Sequence, residues 1–466
     1  MVSGASGQGG PSPSRALEPG PPSPGDLRSF GEARRKEAPR RVHATWQPAP
    51  DRPDPVEVLI ESNRSRAKDL VPIRYGRMMA SPFAFFRGSA LIMALDLATT
   101  PNCGITVQLC GDAHLVNFGL FASPERQLLF DLNDFDETWP GPFEWDVKRL
   151  AASGVLAARA SGMDPTQARR AAVAGVRSYR KWIREYATMT HLEVWYSRLD
   201  ADVLSKLLSR PGRTVVDRAI DKAVGRTHHR AVAKLTRAVG GSRRIIPDPP
   251  LITRADDDPA IAGQFPAMIE EYRRSLSPDR LALFDHYRLV DFARKVVGVG
   301  SVGTLCWILL MQGPMGGPLF LQAKQAGPAA PQLAGCPGVE THHGERVVRG
   351  QLSLQAASDV LLGWTTAPET GNHYYIRQLW DSKGSAEVEL MGPAVLARYM
   401  SACGRALARA HARTGGSASI DGYLGGSDRF DEAVADFAEA YADQTERDHA
   451  ALTRAASEGL IPVEFA

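Results

Sequence analysis

The stretch "CGDAHLVNFG" occupies residues 110–119, and "LLFDLNDFDETWPG" follows it at residues 128–141. The first places an aspartate, a histidine and an asparagine in one short run, and the second adds three aspartates beside a glutamate. Such a cluster arises in two ways. It can supply a base and oxygen ligands for phosphoryl transfer, or it can form polar turns that end strands. The rest of the sequence has to decide between these interpretations.

Asp112 and Asn117 have the spacing D-x-x-x-x-N. Phosphoryl transfer from ATP needs a carboxylate that orients the attacking hydroxyl and hard oxygen ligands that hold Mg²⁺ against the phosphates. Asp112 and Asn117 fit these two roles, and Asp134 and Asp136 of "NDFDE" fit the second role from a neighbouring strand end. The spacing alone is common by chance. With His114 and "NDFDE" close to it, we favour phosphoryl transfer over two capped turns.

Composition excludes several classes of protein. The chain has 466 residues, 44% of them hydrophobic, and a formal charge of only +3, so it holds more than one ordinary domain and has no general attraction for polyanions. Its five cysteines form no CxxC pair, which argues against a disulfide framework or a zinc knuckle. No signal peptide and no apolar run near roughly 20 residues is visible. We therefore expect a cytoplasmic protein, with neither a membrane nor a nucleic acid as its partner.

Four regions are predicted along the chain. Residues 1–50 are rich in Gly, Pro, Ser and Arg and are expected to be disordered. Residues 51–290 are expected to form a helical lobe with both acidic motifs, and residues 291–390 an antiparallel sheet lobe. Residues 391–466 are expected to form helices that pack on the helical lobe.

Hydrophobic periodicity predicts the main elements within these regions. Asp164 is the expected N-cap of a helix with Pro165 in its first turn. Further helices are predicted over residues 393–412 and 429–457, and a basic helical segment over residues 200–245. Glycine-punctuated, β-branched segments predict strands near residues 294–298, 304–311, 318–324, 360–365 and 373–380.

A glycine-rich segment, "GVGSVGT" at residues 298–304, reads G-x-G-x-x-G between two of these strands. Its glycines let backbone N–H groups approach a phosphate without a Cβ clash. A Rossmann site would need a helix after the loop, whereas a strand follows here. The sequence therefore favours a hairpin over phosphates, and a glycine-rich hairpin without a ligand is the alternative. The expected phosphate-binding positions are Gly298, Gly300, Ser301 and Gly303.

"GDAHLVN" resembles the G-D-x-H-x-x-N catalytic loop of aminoglycoside phosphotransferases and other kinase-like enzymes. "NDFDE" resembles their metal-binding aspartate segment, and "FEWDVKRLA" (143–151) resembles the segment that buttresses their catalytic loop. In one departure, Cys110 stands where the family has a histidine that braces the loop. The resemblance implies a catalytic base at Asp112, metal ligands at Asn117 and Asp134, a second-metal ligand at Asp136, and a buttress at Asp146.

Lys324 in "LFLQAKQA" lies at the end of the third predicted strand. Kinase-like enzymes have a phosphate-binding lysine at this place, so the resemblance implies that role for Lys324. An unpaired buried charge is unfavourable, and the expected partner is a helical glutamate: Glu345, with Glu340 as a substitute. An exposed lysine at a strand end is the alternative.

The motifs follow one another in a rearranged order. "CGRALARAHARTG" (403–415) resembles the helix that directly precedes the catalytic loop in phosphotransferases, yet here it comes near the end of the chain. The glycine loop and Lys324 also follow the acidic motifs. The resemblance therefore implies a circularly permuted, kinase-like two-lobe α+β fold, with an antiparallel sheet lobe, a helical lobe and a nucleotide between them.

Residues 55–455 also resemble a bacterial family known as domain of unknown function 2252. The resemblance rests on the catalytic loop together with "PIRYGRMMASPFAFFRGSA" (72–90), "YIRQLWDSKGS" (375–385) and "YADQTERD" (441–448). The family implies no substrate. Arg74, Arg77 and Arg87 of its first segment are suited either to phosphate binding or to packing along their stems.

The function expected from these motifs is that of an ATP- and Mg²⁺-dependent phosphotransferase acting on an unknown small-molecule or protein acceptor. Two alternatives stay open. The chain can be a nucleotide-binding pseudokinase without turnover, or a metal-dependent nucleotidyl transferase or phosphohydrolase that uses the same carboxylates.

Overall fold

The architecture combines helices with antiparallel sheets. The computed structural model describes residues 22–207, 228–240, 242–254, 259–296, 302–339, 342–379, 384–385 and 387–465. The α-helices are α1 (Pro24–Glu37), α2 (Pro55–Ser62), α3 (Val71–Met79), α4 (Pro82–Gly88), α5 (Ala90–Ala98), α6 (Phe143–Ala160), α7 (Pro165–Tyr186), α8 (His191–Tyr196), α9 (Ala201–Leu207), α10 (His228–Leu235), α11 (Pro259–Ser275), α12 (Pro278–Phe284), α13 (Ala330–Leu333), α14 (His343–Leu354), α15 (Pro393–Arg413), α16 (Ser417–Leu424) and α17 (Arg429–Ser457).

The strands form four antiparallel sheets in the described parts of the chain: β11-β12-β10-β9-β8-β7, β13-β2-β3, β1-β4 and β5-β6. Their bounds are β1 (Thr106–Leu109), β2 (Phe118–Ala122), β3 (Leu128–Leu132), β4 (Trp139–Pro142), β5 (Thr236–Val239), β6 (Ser242–Ile245), β7 (Ile252–Arg254), β8 (Arg288–Lys295), β9 (Cys306–Gln312), β10 (Pro318–Ala326), β11 (Gly363–Thr366), β12 (His373–Gln378) and β13 (Gly384–Ser385).

The six-stranded sheet has two different faces because successive side chains of a strand point to opposite sides. On β10, Leu321 and Ala323 pack with Tyr272 of α11 in one apolar cluster. The intervening residues belong to the other face, where Phe320 packs with residues of α10 and Lys324 follows four positions later. One face therefore packs on α11, and the other packs on α10 and also carries Lys324.

The two acidic motifs lie side by side because of strand pairing. The chain runs from β1 through Asp112 into β2, and returns from β3 through Asp134 into β4. Since β1 pairs with β4 and β2 pairs with β3, the two connections start and end at neighbouring strands. A backbone hydrogen bond from Asn133 N to Asn117 O, 2.8 Å long, joins them directly.

The long helices α6, α7, α15 and α17 pack on one another and supply half of the buried residues of the main apolar core. Helix α15 packs closely on α7, where a Cβ added to Gly404 would lie 2.1 Å from the carbonyl oxygen of Gly175. In the part of the chain that the structure describes, no helix is both long enough and apolar enough to cross a membrane.

Several predicted elements are present close to their expected bounds. Asp164 caps α7, with its carboxylate accepting a hydrogen bond from Gln167 N at 2.8 Å. Helices α15 and α17 and strands β9 to β12 lie within a few residues of the predicted ranges. The first predicted strand, near 294–298, lies earlier, at Arg288–Lys295. The sheet also begins before residue 291, because β7 at Ile252–Arg254 pairs with β8.

Two predictions differ from the structure. Within residues 1–50, expected to be disordered, Pro24–Glu37 form a helix on α16, where a Cβ at Gly31 would lie 1.9 Å from Ser419 O. The close backbone contact with α16 orders a segment that composition alone predicts to be disordered. Within residues 200–245, expected to be helical, Thr236–Val239 and Ser242–Ile245 form a hairpin. Residues 208–227 of that segment lie outside the described residues.

Candidate functional site

The loop at residues 110–117 is held by a carboxylate from α6. The buried Asp146 accepts hydrogen bonds from Cys110 N at 2.7 Å and Gly111 N at 3.0 Å. His411 of α15 lies 3.2 Å from the same carboxylate, and its other ring nitrogen is 2.8 Å from the hydroxyl of Tyr179. The loop is therefore attached to three helices.

Cys110 replaces the expected histidine and still connects the two motifs, because its thiol donates to Asp134 O at 3.4 Å. Its neighbour Gly111 has φ +81°, and a Cβ there would lie 1.9 Å from Glu137 O. This position therefore requires glycine for both its conformation and its contact. The backbones of the two acidic motifs touch at this point.

Asp112 faces two basic side chains. Its Oδ1 accepts a hydrogen bond from Arg149 Nε at 2.5 Å, and its Oδ2 lies 3.7 Å from His114 Nε2. Arg149 is itself fixed by a 2.9 Å bond to Phe86 O. Burial outweighs the attraction of Asp112 and lowers the pKa of His114 to about 4, so this imidazole is neutral at pH 7. The carboxylate of Asp112 is oriented by one cation.

Asn117 stands at the far end of the same loop. Its side-chain nitrogen donates to Asp112 O at 2.7 Å. This bond uses the amide nitrogen and leaves the side-chain oxygen as an acceptor for another group. The local bond explains why the five-residue spacing brings the two polar groups together.

Lys324 meets the second acidic motif from the sheet. Its ammonium group forms an ion pair with Asp136 and lies 3.9 Å from Asp134, although Lys324 and Asp136 are 188 positions apart. Tyr375, opposite Lys324 on β12, donates its hydroxyl to Asp136 at 2.8 Å. The side chain of Lys324 is 3% exposed. The buried lysine thus has two carboxylate partners, and Arg377, two positions after Tyr375, adds a cation nearby.

The pKa values follow from these contacts. Burial alone would lower the pKa of Lys324, but Asp134 and Asp136 raise it above its ordinary value. Burial alone would raise the pKa of Asp136, and Lys324 holds it below its usual range instead. Burial and the repulsion of Asp136 raise the pKa of Asp134. At neutral pH the cluster therefore keeps a charged lysine beside an ionised Asp136.

The expected glutamate partner of Lys324 is elsewhere. Glu345 forms an ion pair with Arg349 at 2.6 Å on its own helix, α14. The substitute Glu340 lies outside the described residues. The expectation of Glu345 as the partner is corrected by the position of Asp136, which binds the ammonium group directly.

The glycine-rich segment is described only in part. Gly298, Gly300 and Ser301 lie outside the described residues, so the expected roof over the phosphates is not tested. Gly303 has φ +90°, and its carbonyl oxygen accepts a 2.7 Å hydrogen bond from Ala67 N. Arg66 donates to Val302 O at 2.8 Å and interacts electrostatically with Asp136. The end of the glycine-rich segment therefore lies against residues 66–67, and Arg66 is close enough to Asp136 to interact with its charge.

Three side chains near the site are not predicted from the sequence: Arg149, Glu137 and Tyr375. For Arg87 the sequence leaves phosphate binding and packing of its stem as alternatives. Arg149 follows Asp146 by one helical turn in "WDVKR", and this spacing could have indicated it. Burial raises the pKa of Glu137 to about 7, and its carboxylate accepts from Ala330 N at 2.5 Å. Tyr375 depends on strand register, for which the sequence has no signal.

A metal ion here would need ligands beyond the protein. No group of three or more His, Cys, Asp or Glu side chains suited to a metal occurs among the described residues. Asp134 and Asp136 would offer carboxylate oxygens, and Asn117 would offer an amide oxygen. Mg²⁺ is usually held by one or two carboxylates with phosphate oxygens and waters, so this sparse set fits Mg²⁺ better than a protein-only cage.

The structure thus defines a mixed α+β protein with antiparallel sheets and an acidic cluster around one buried lysine. Comparison with known families matches residues 66–455 to the family described as an uncharacterized protein conserved in bacteria (DUF2252), and the chain belongs to that family. The comparisons with curated proteins and with solved structures gave no significant match.

Proposed function

We propose that this protein is an ATP- and Mg²⁺-dependent phosphotransferase with a kinase-like site in circularly permuted order. One observation carries the proposal: Lys324 of the sheet contacts Asp136 and lies 3.9 Å from Asp134 of the helical part. A lysine and hard oxygen ligands in one place are what the phosphates of a nucleotide require.

Each residue then has a stated task. Asp112 accepts the proton of the acceptor hydroxyl while that oxygen forms a bond to the γ-phosphorus, and the bond from that phosphorus to the β,γ-bridging oxygen breaks to release ADP. Lys324 binds the phosphates as a fixed cation. Asp134, Asp136 and Asn117 would hold Mg²⁺, which when bound neutralises phosphate charge.

The position of α15 supports the permuted order. Tyr399 donates its hydroxyl to Phe118 O at 3.0 Å, and His411 contacts Asp146, so α15 lies beside the loop although it follows it by almost three hundred residues. In the kinase-like enzymes that this chain resembles, such a helix runs directly into the loop. A circular permutation joins the original chain ends and opens the chain at another exposed connection. The helix and the loop would stay neighbours in space after such a change.

A second candidate, nucleotide binding without turnover, is favoured by one contact. Arg149 Nε donates a hydrogen bond to Asp112 Oδ1 at 2.5 Å, so this oxygen is already occupied and is not open to the hydroxyl of an acceptor. A base that uses only its other oxygen, Oδ2, is still compatible with transfer.

The test is product analysis with ATP labelled at the γ- or α-phosphate, with and without Mg²⁺, on the full chain. We expect transfer of the γ-phosphate. Asp112→Asn should lower transfer by about 100- to 10,000-fold and leave nucleotide affinity unchanged. Asp134→Ala should weaken Mg²⁺-dependent nucleotide binding, because it removes a hard oxygen ligand.

Asp279→Asn is the matched control, because this carboxylate is 71% exposed. Transfer of AMP would instead indicate a nucleotidyl transferase, and binding without products would indicate a pseudokinase. Absence of nucleotide binding, or full activity in Asp112→Asn, would contradict the proposal.

A further inference from the structure

Arg87 at the end of α4 is a half-buried cation beside the loop of Asp112. Its Nε is buried and has no hydrogen-bond partner among the described residues. The preceding residue, Phe86, accepts a hydrogen bond from Arg149, which in turn holds Asp112. The chain therefore places Arg87 next to the residues that orient the proposed base.

Nearly all buried polar groups in proteins are hydrogen-bonded. The Nε atoms of Arg66 and Arg74 are also buried without a partner in the described parts of the chain, so this atom alone does not distinguish Arg87. Arg74, from the same segment, shares the unpartnered buried Nε and differs from Arg87 in its terminal nitrogens. Its two terminal nitrogens donate to Asn63 Oδ1 at 2.7 Å and Gly88 O at 2.8 Å, so it serves the fold. Within the part of the chain that the structure describes, Arg87 makes no such hydrogen bonds.

Among the described residues, no carboxylate forms a close ion pair with Arg87. The carboxylates of Asp112 and Glu389 interact with Arg87 electrostatically. Asp112 is already bound by Arg149, and Glu389 is exposed, so water and salt screen its attraction. Asp112 thus has two arginines within electrostatic reach, and only Arg149 forms a close ion pair with it among the residues that the structure describes. Arg87 is left as a cation that can bind an anion.

We propose that the acceptor carries an oxyanion, a carboxylate or a phosphate, close to the hydroxyl that is phosphorylated, and that Arg87 binds it. This inference rests on the proposed function for the identity of the reaction. A guanidinium group suits the task because its planar N–H donors match the two oxygens of a carboxylate or phosphate. Bound in this way, the acceptor has its hydroxyl held next to Asp112.

The first experiment is calorimetric titration of the full chain with inorganic phosphate and, separately, with lactate, at constant ionic strength. Arg87→Gln should lower the affinity for at least one of them by about 10- to 100-fold, because a hydrogen-bonded charge is removed. Comparison of the two titrations tells whether phosphate or carboxylate is preferred. Arg64→Gln is the matched control, because Arg64 is a neighbouring arginine that is 75% exposed.

The second experiment measures transfer from labelled ATP to hydroxy acids, sugar phosphates, neutral sugars and amino sugars. We expect transfer to the anionic acceptors, with a raised KM and an unchanged ATP affinity in Arg87→Gln. Arg87→Lys keeps the charge without the planar group and should fall between the parent and Arg87→Gln. It also serves as the second variant if Arg87→Gln does not fold, which circular dichroism would show.

The outcomes separate this inference from the proposed function. If the protein binds Mg²⁺–ATP but anion affinity is equal in the parent and Arg87→Gln, or transfer favours neutral or cationic acceptors, the inference is overturned and the proposed function stands. If anion binding depends on Arg87 but no nucleotide binds, the anion subsite stands and the proposed function is overturned.

Discussion

At the scale of single residues, the site is a set of charges that stabilise one another. Lys324 tolerates burial because Asp136 and Asp134 lie against it, and a buried ion pair is stable only while both partners are present. A second buried lysine, Lys148 of α6, has weaker partners. Its ammonium group lies 4.5 Å from the centre of the Phe437 ring and 3.5 Å from Thr100 Oγ1. The two lysines are therefore expected to respond differently to pH.

The pKa of Lys148 carries a prediction for stability. Burial lowers it from 10.5 to about 8. Between these values the unfolded chain holds a proton that the folded chain has released, so the stability of the parent should rise as pH increases from about 8 to 10.5. The rise is on the order of 3 kcal/mol, from about 1.4 kcal/mol per pKa unit. Lys148→Met should lack this part of the rise.

The measurement is chemical denaturation of both proteins across this pH range, with the exposed Lys181→Met as the control. A parallel dependence of the parent and Lys148→Met on pH would contradict the assignment. The control should follow the parent, because an exposed lysine has nearly the same surroundings in the folded and unfolded states.

Sequence reasoning reaches some of these residues and not others, for a physical reason. Asp112, Asn117, Asp134 and Asp146 belong to short contiguous motifs whose roles depend on local backbone geometry. The role of Tyr375 depends on its register with Lys324, and Arg87 is distinguished by making no hydrogen bond among the described residues. Strand register and missing hydrogen-bond partners arise from tertiary packing, which a short sequence motif does not encode.

At the scale of elements, α15 supports the loop at residues 110–117. Tyr399 donates its hydroxyl to Leu115 O in the loop at 3.3 Å, and His411 lies against Asp146, which holds the loop. Helix α15 also packs on α7 through Gly404. The long helices were predictable because their apolar periodicity runs over many residues. The hairpin at residues 236–245 was not predicted, although Gly240 with φ +57° occupies its turn and Gly-Gly between short strands is a hairpin signal.

The contact between α15 and α7 can be tested with two alanine substitutions. A Cβ at Gly404 would lie 2.1 Å from the backbone oxygen of Gly175, so Gly404→Ala must separate the helices. We expect a loss of about 1–3 kcal/mol in the free energy of unfolding and a lower transfer rate, because the loop contacts of α15 shift.

Gly263→Ala in α11 is the control for this substitution. A Cβ there has nothing within 4 Å, so alanine should stabilise the helix by roughly 0.5–1 kcal/mol. Equal stability of Gly404→Ala and the parent in urea denaturation would show that the packing of α15 on α7 is less close than described.

At the scale of the whole molecule, segments from distant parts of the sequence complete one another. Helix α1 packs on α16, with Arg35 donating to Tyr423 O at 2.9 Å. Composition alone indicates that residues 1–50 are dispensable, whereas these contacts indicate that residues 22–50 stabilise the folded chain. Deletion of residues 1–50 should lower the melting temperature clearly more than deletion of residues 1–21. Equal melting temperatures of the two truncated proteins would refute the structural role of α1.

The central claim is that Lys324 and the two acidic motifs bind the phosphates of one nucleotide together with a metal ion. Its most direct test is a crystal structure of the full chain with Mn²⁺ and a non-hydrolysable ATP analogue, with the metal located by anomalous scattering. The account predicts a metal peak at coordination distance from Asp134, about 2–2.5 Å, and phosphates in contact with Lys324. A peak or a nucleotide bound away from these residues would contradict the account.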